Sequence, residues 1–231
     1  MVRATLALLS MVLTMGPLAS SPARAYPVKG VIKLPRSLLD KLARLPRGHW
    51  RALRNPLLPI ATPLLDPRRR MIVAIEGDAR AKPAYPATIT ISDAQFLPPV
   101  LAVRKNTEVS FENKDWQLHL LEPSGAKGFM KPLTIEPGDK GTHRFSKTGA
   151  YQLHCSELPH MRATVLVTDK AQVALPDNNG VFRFPNVRAG TYQLAVWYAG
   201  KWIHRQPLTV RAGQTHADIV INALKTTEKK D

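Results

Sequence analysis

His154-Cys155-Ser156-Glu157-Leu158-Pro159-His160-Met161 leaves a strand-like run, Gly149-Ala150-Tyr151-Gln152-Leu153, and carries the only cysteine in the 231-residue chain. The run is one of a series. Residues 71–76, 87–92, 100–103, 108–112, 141–145, 149–155 and 162–168 are each short and rich in Val, Ile, Thr and Phe. Gly, Pro, Asn and Asp turn signals separate them. Many short strands at this spacing predict an all-β Greek-key sandwich over 71–169.

A second β unit is predicted over 170–224. Asp177-Asn178-Asn179-Gly180 reads as a turn, and Phe182/Phe184 and Tyr192/Leu194/Val196 alternate so that each strand buries one face. Residues 225–231 form a polar tail. Ahead of the first sandwich, 26–70 reads as an irregular, basic, Pro/Leu-rich arm lying on the domain. It offers a short strand over 28–34 and one helix over 37–45, where Leu38, Leu39, Leu42 and Leu45 share a face and Ser37 with Asp40 resembles a capping box.

Residues 1–25 have the form of a secretory signal: a basic start, an apolar run over 4–13, Gly16-Pro17, and Ala23 and Ala25 at the end. Cleavage is expected before Tyr26, which gives an exported, periplasmic or extracellular protein with no transmembrane segment. A lone cysteine there cannot form an internal disulfide, so it is either a small buried hydrophobe or a ligand. The chain carries 33 Lys+Arg against 17 Asp+Glu, a net charge of +16, and 13 of the basic residues fall between Lys29 and Lys82. With no nucleic-acid fold signature beside it, the charge reads as a solubility or docking surface suited to an acidic partner.

A thiolate, two imidazoles and a weak thioether form a donor set that accommodates both copper oxidation states. Where a sandwich holds copper with this donor set, one histidine comes from an upstream loop, and the cysteine, second histidine and methionine come from one late loop. Asn113-Lys114-Asp115-Trp116-Gln117-Leu118-His119 lies upstream, with His119 36 residues before Cys155. His119, Cys155, His160 and Met161 are therefore the candidate ligands. Asn113 and Pro159 are candidates for the shell that orients them. His154 alternates with Cys155 along a strand and is expected to face the other way, and His143, in mid-strand, is expected to be structural.

These residues resemble the plastocyanin/azurin cupredoxin family, and in particular bacterial cupredoxin-like methylamine-utilisation proteins. Asn113, Asp115 and His119 match an NxDxxxH run, and Tyr151 precedes Cys155 with one residue more between them than in those proteins. The second unit, through its DxxGxFxF and GxYxL elements, resembles a transthyretin-like or carboxypeptidase-regulatory-like sandwich. The resemblance implies one copper ion in a type 1-like site, with Asn113 tying the two ligand loops together. It also carries a departure. In the family's CxxHxxM loop, Cys155 and Met161 fit but Leu158 replaces the histidine; in the azurin-type CxxxxHxxxM loop, Cys155 and His160 fit but Thr164 replaces the methionine. A four-ligand site with an unusual loop, a three-ligand site and a degenerate site all remain open.

The function expected from this reading is electron transfer by a copper protein that is not an enzyme, docking on an acidic redox partner and not on nucleic acid. Copper storage or delivery is one alternative. The other is a structural or envelope-binding sandwich, in which Trp197, Tyr198 and Trp202 either form a stacking surface or fill the core.

Overall fold

The computed structural model describes residues 24–43, 66–77, 86–124, 129–158, 160–169 and 171–223, with backbone alone at 41–43. The expected signal, most of the arm after the helix, Pro159 and the tail lie outside them. Among the described residues the protein is all β, and no helix is long and apolar enough to cross a membrane.

In chain order, β1 (Ala25–Lys33), the helix α1 (Arg36–Ala43) and β2 (Met71–Glu76) precede nine strands of the first sandwich. These are β3 (Thr88–Ser92), β4 (Gln95–Leu97), β5 (Val100–Val103), β6 (Thr107–Asn113), β7 (His119–Ser124), β8 (Leu133–Ile135), β9 (Lys140–Phe145), β10 (Gly149–Cys155) and β11 (Arg162–Val167). They are followed by β12 (Ala171–Ala174), β13 (Val181–Arg188), β14 (Gly190–Tyr198), β15 (Lys201–Val210), β16 (Thr215–His216) and β17 (Ile219–Val220).

The first sandwich pairs a sheet of order β4-β3-β6-β9 with one of order β5-β11-β10-β7-β8. Alternate residues of both, among them Ile89, Phe111, Leu121, Leu153, Cys155 and Val165, fill the space between them. The second sandwich pairs β12-β2-β14-β15 with β13-β1-β16, and β17 joins β1. Phe182, Phe184, Val196, Ile32 and Met71 lie in its core.

A third apolar layer joins the two sandwiches. Ile72, Ala74, Val173 and Trp197 from the β2 sheet cluster with Val100, Ala102 and Leu166 from the β5 sheet. Trp197 is therefore buried, and Trp202 packs against the same layer. Trp197 is thus held in packing, whereas Trp202 is half-buried, with the Arg205 guanidinium 5.7 Å from its ring centre.

Strand β2 departs from the sequence expectation. Met71–Glu76 was expected to open the first sandwich, yet it hydrogen-bonds antiparallel to β12 and β14 of the second. The physical reason lies in its composition. Met71, Ile72, Val73, Ala74 and Ile75 are all buried, odd positions toward one core and even positions toward the layer between sandwiches. A continuous apolar run of this length suits a strand covered on both faces, and β2 lies between the second core and the apolar layer that joins the two sandwiches.

The arm departs likewise. β1 pairs antiparallel with β13 and parallel with β16 and β17, so it is a central strand. The second sandwich is thus assembled from strands on both sides of the first. α1 begins at Arg36, with the Pro35 carbonyl accepting the Leu38 and Leu39 N–H groups, and Leu38 sinks into the second core. Residues 44 and 45 of the expected helix fall outside the described range.

The arm returns through a 3-10 turn, Pro67–Arg70, and its anchor is polar. Asp66 accepts from the backbone N–H and the guanidinium of Arg68, whose Nη1 donates at 2.9 Å to the Asn179 carbonyl of the 177–180 turn. Burial works to raise the Asp66 pKa. The hydrogen bonds from Arg68 and the charges of Arg68 and Arg69 outweigh it, and the carboxyl is held below its ordinary value. A carboxyl depressed on folding contributes stability above its unfolded value of about 3.9, and that contribution is lost as pH falls through the folded value. Urea midpoints measured at pH 7 and pH 3 should therefore converge in Asp66→Asn relative to the parent protein. An unchanged difference between the two pH values would show that this anchor does not contribute.

Candidate metal centre

Two strand ends build the site. β6 stops at Asn113, and β7 starts at His119, so residues 114–118 form a loop across one end of the first sandwich. β10 stops at Cys155 beside that loop, because β10 pairs antiparallel with β7 in the register Cys155↔Leu121. The chain then turns back through 156–161 into β11. This turn is closed by Met161 N–H to Leu158 O at 2.9 Å and Cys155 N–H to Met161 O at 3.1 Å.

Cys155 and His119 are both fully buried, and Cys155 Sγ lies 3.6 Å from His119 Nδ1. Met161, 2% exposed, belongs to the same core as Cys155. His160 goes elsewhere. Its ring is exposed, and Nε2 lies 3.0 Å from the Ala94 carbonyl in the β3–β4 turn. Leu158, at the position where the family loop has histidine, packs on the apolar core instead. The structure therefore brings Cys155 and His119 together inside the sandwich, buries Met161 in the same core, and leaves the His160 ring exposed.

Asn113 is fully buried and hydrogen-bonded on both sides of its amide. Its Nδ2 donates to Gln117 O at 2.8 Å and Ile135 O at 3.0 Å, and its Oδ1 accepts from Asp115 N–H at 2.9 Å. It stiffens the His119 loop and ties it to β8. The expected tie to the Cys155 loop is not among these bonds. His154 faces away from Cys155 as expected, with Nδ1 2.9 Å from Ser124 Oγ. His143 sits edge-on to Phe145, and burial pushes its pKa down against a hydrogen bond with the Phe129 backbone.

Asp115 is a residue whose role the sequence did not disclose. Its Oδ2 lies 3.0 Å from His119 Nε2, its Oδ1 accepts from Asp93 N–H at 2.7 Å, and Oδ2 also accepts from Ala94 N–H at 3.1 Å. The only available signal was its place in the NxDxxxH run. Outside this bracket the loop turns apolar side chains to water, with Trp116 87% exposed and Leu118 38% exposed.

A single ion fits between the first two donors. Bonds of about 2.3 Å to sulfur and about 2.0 Å to nitrogen together exceed the 3.6 Å separation, so neither side chain has to move far to share a metal. Thiolate, imidazole and thioether are donors that suit copper, above all Cu(I). No cluster of three or more His, Cys, Asp or Glu side chains suited to a metal occurs among the described residues.

The chain is similar to known proteins only in part. Residues 171–227 match the family described as polysaccharide lyase family 4, domain II. That is a different β-domain family from the one its DxxGxFxF and GxYxL elements resemble. No curated protein matches. Among solved structures, the chain is similar to a purple cupredoxin from Nitrosopumilus maritimus at 23% identity, over 36% of this chain and 100% of that one, with a TM-score of 0.33. It is also similar to a mutant of amicyanin in its Cu(I) form, at 19% identity over 42% of this chain and 98% of that one, TM-score 0.32. A copper-containing nitrite reductase from Thermus scotoductus matches at 24% identity over 40% of this chain but 26% of the reductase, TM-score 0.33.

Proposed function

We propose that this is an exported copper protein that carries electrons and does not transform a substrate, holding one ion with Cys155, His119 and Met161. The observation that carries the reading is the 3.6 Å approach of Cys155 Sγ to His119 Nδ1 with both side chains out of water. A buried thiol facing a buried imidazole, in a core that includes Ile89, Phe96 and Leu121, offers ligands shielded from water. Copper held there would supply a one-electron couple. The chain's own contribution is to fix the donors, exclude water and keep the geometry alike in both oxidation states.

Trp116 and Leu118 support the electron-transfer reading. They stand exposed on the loop that ends in His119, and an exposed tryptophan near a buried redox group is a natural anchor for a partner. The basic excess of the chain would steer an acidic partner toward it.

A second reading, Cu(I) storage or delivery, is favoured by one observation. Leu158 replaces an imidazole while His160 is engaged with Ala94, and a set of two sulfurs and one nitrogen prefers Cu(I). Titration of the purified protein with Cu(II), and separately with Cu(I) under anaerobic conditions, separates the two. An intense visible thiolate-to-copper band that bleaches and returns through redox cycles supports electron transfer. Tight Cu(I) binding without a stable coloured Cu(II) form supports delivery, and failure to bind either ion overturns both.

A further inference from the structure

We infer that Asp115 is a positioning residue, which fixes the tautomer of His119 and aims its bare Nδ1 at Cys155 before any metal arrives. The importance of this for copper rests on the function proposed above; the tautomer itself does not. The argument starts from acceptor chemistry. An ionised carboxylate only accepts hydrogen bonds, and Asp115 already accepts the N–H groups of Asp93 and Ala94. The 3.0 Å contact between Asp115 Oδ2 and His119 Nε2 therefore places the imidazole proton on Nε2. A neutral imidazole has one N–H, so Nδ1 presents its lone pair, and it does so 3.6 Å from Cys155 Sγ. A metal ion bound to both donors would lie in that gap.

The bracket is rigid because its far side is backbone. Asp93 and Ala94 form a turn with φ of 53° and 54°, a conformation that turns both N–H groups toward one carboxylate. Asn113 Oδ1 holds the Asp115 N–H at 2.9 Å, so the aspartate is fixed at its own backbone as well. The same turn accepts His160 through the Ala94 carbonyl. One two-residue turn thus supports the orientation of His119 from one side of its peptide and of His160 from the other. A carboxylate behind a ligating imidazole makes the facing nitrogen a stronger donor, and losing such a partner typically costs about 10–100-fold in metal affinity.

The test uses the full-length protein and two variants. Long-range nitrogen–proton NMR on the metal-free parent should show His119 protonated at Nε2 alone. Asp115→Asn keeps an acceptor oxygen without the charge; it should retain that tautomer and bind copper about tenfold more weakly. Asp115→Ala should give mixed tautomers and a loss toward the 100-fold end of the range. If Asp115→Ala does not fold, as judged by its melting curve, the tautomer of the parent and the affinity of Asp115→Asn decide the matter. A parent His119 protonated at Nδ1, or a folded Asp115→Ala that keeps both the parent tautomer and the parent affinity, would falsify the assignment. A parent protein with the expected tautomer that binds no copper would sink the proposed function and leave the role of Asp115 intact.

Discussion

Cys155→Ser is expected to abolish the visible band and to weaken Cu(I) binding by more than about 100-fold, beyond the range set by the loss of an outer-shell partner. Serine is the informative replacement. Serine is close to cysteine in shape, so the core keeps its packing, while an oxygen donor binds Cu(I) far less well than a thiolate. The melting temperature should move little for that reason. Met161 is best tested as Met161→Leu, which preserves volume and costs under about 1.5 kcal/mol in packing. Its affinity should fall if the thioether is a ligand. His160→Ala should leave binding within about threefold of the parent if the site is the three-donor set. A collapse of binding on that substitution would show that the ring leaves Ala94 to join the metal, and would restore the four-ligand reading.

The approach of Cys155 to His119 was legible in the sequence where side-chain chemistry and strand geometry coincide. Cys155 and His119 could be paired from 36 residues apart because one closes a strand and the other opens one, and strand ends at one edge of a sandwich converge. The position of His160 could not be read in this way. Its spacing from Cys155 fits a ligand loop, but the ring direction is set by the Ala94 carbonyl in a turn 66 residues earlier. Asp115 was hidden for a related reason: a loop aspartate preceding an exposed tryptophan looks like a solvated turn until the N–H groups of Asp93 and Ala94 are seen to face it.

The fold shows the same boundary between local and distant information. Alternation and turn residues located most strands, since those signals lie within each segment. They gave no partner. Residues 71–76 are a strand in either sandwich, and only their pairing with β12 and β14 assigns them to the second. β1 was read as a short strand over 28–34 in an irregular, Pro/Leu-rich arm, because nothing local to it names the distant strand it pairs with. Gly30 turns out to mark a close approach, which is one of the uses of glycine inside a strand.

That close approach gives the largest expected effect on stability. A Cβ on Gly30 would lie 2.2 Å from the Ala217 carbonyl oxygen, 2.7 Å from the Ala217 carbonyl carbon and 2.5 Å from Phe182 Cζ. Two of these obstacles are backbone, held in place by the 2.9 Å hydrogen bond from Ala217 N–H to Lys29 O. The third is a ring 1% exposed on the strand residue paired with Gly30. None can yield by rotating a flexible side chain. Gly30→Ala should therefore cost about 3 kcal/mol or more, read as a fall of roughly 10 °C in the melting temperature. Gly200→Ala is the control, because its φ is +90° and no atom lies within 4 Å of the added carbon. It carries backbone strain and the change in chain entropy, at about 1 kcal/mol, without the collision. If Gly30→Ala is no worse than Gly200→Ala, β1 does not run through the centre of the second sandwich. If it is much worse while copper binding in the folded fraction is unchanged, the stability of the second sandwich and the copper chemistry of the first are separable, although the first is threaded between strands of the second.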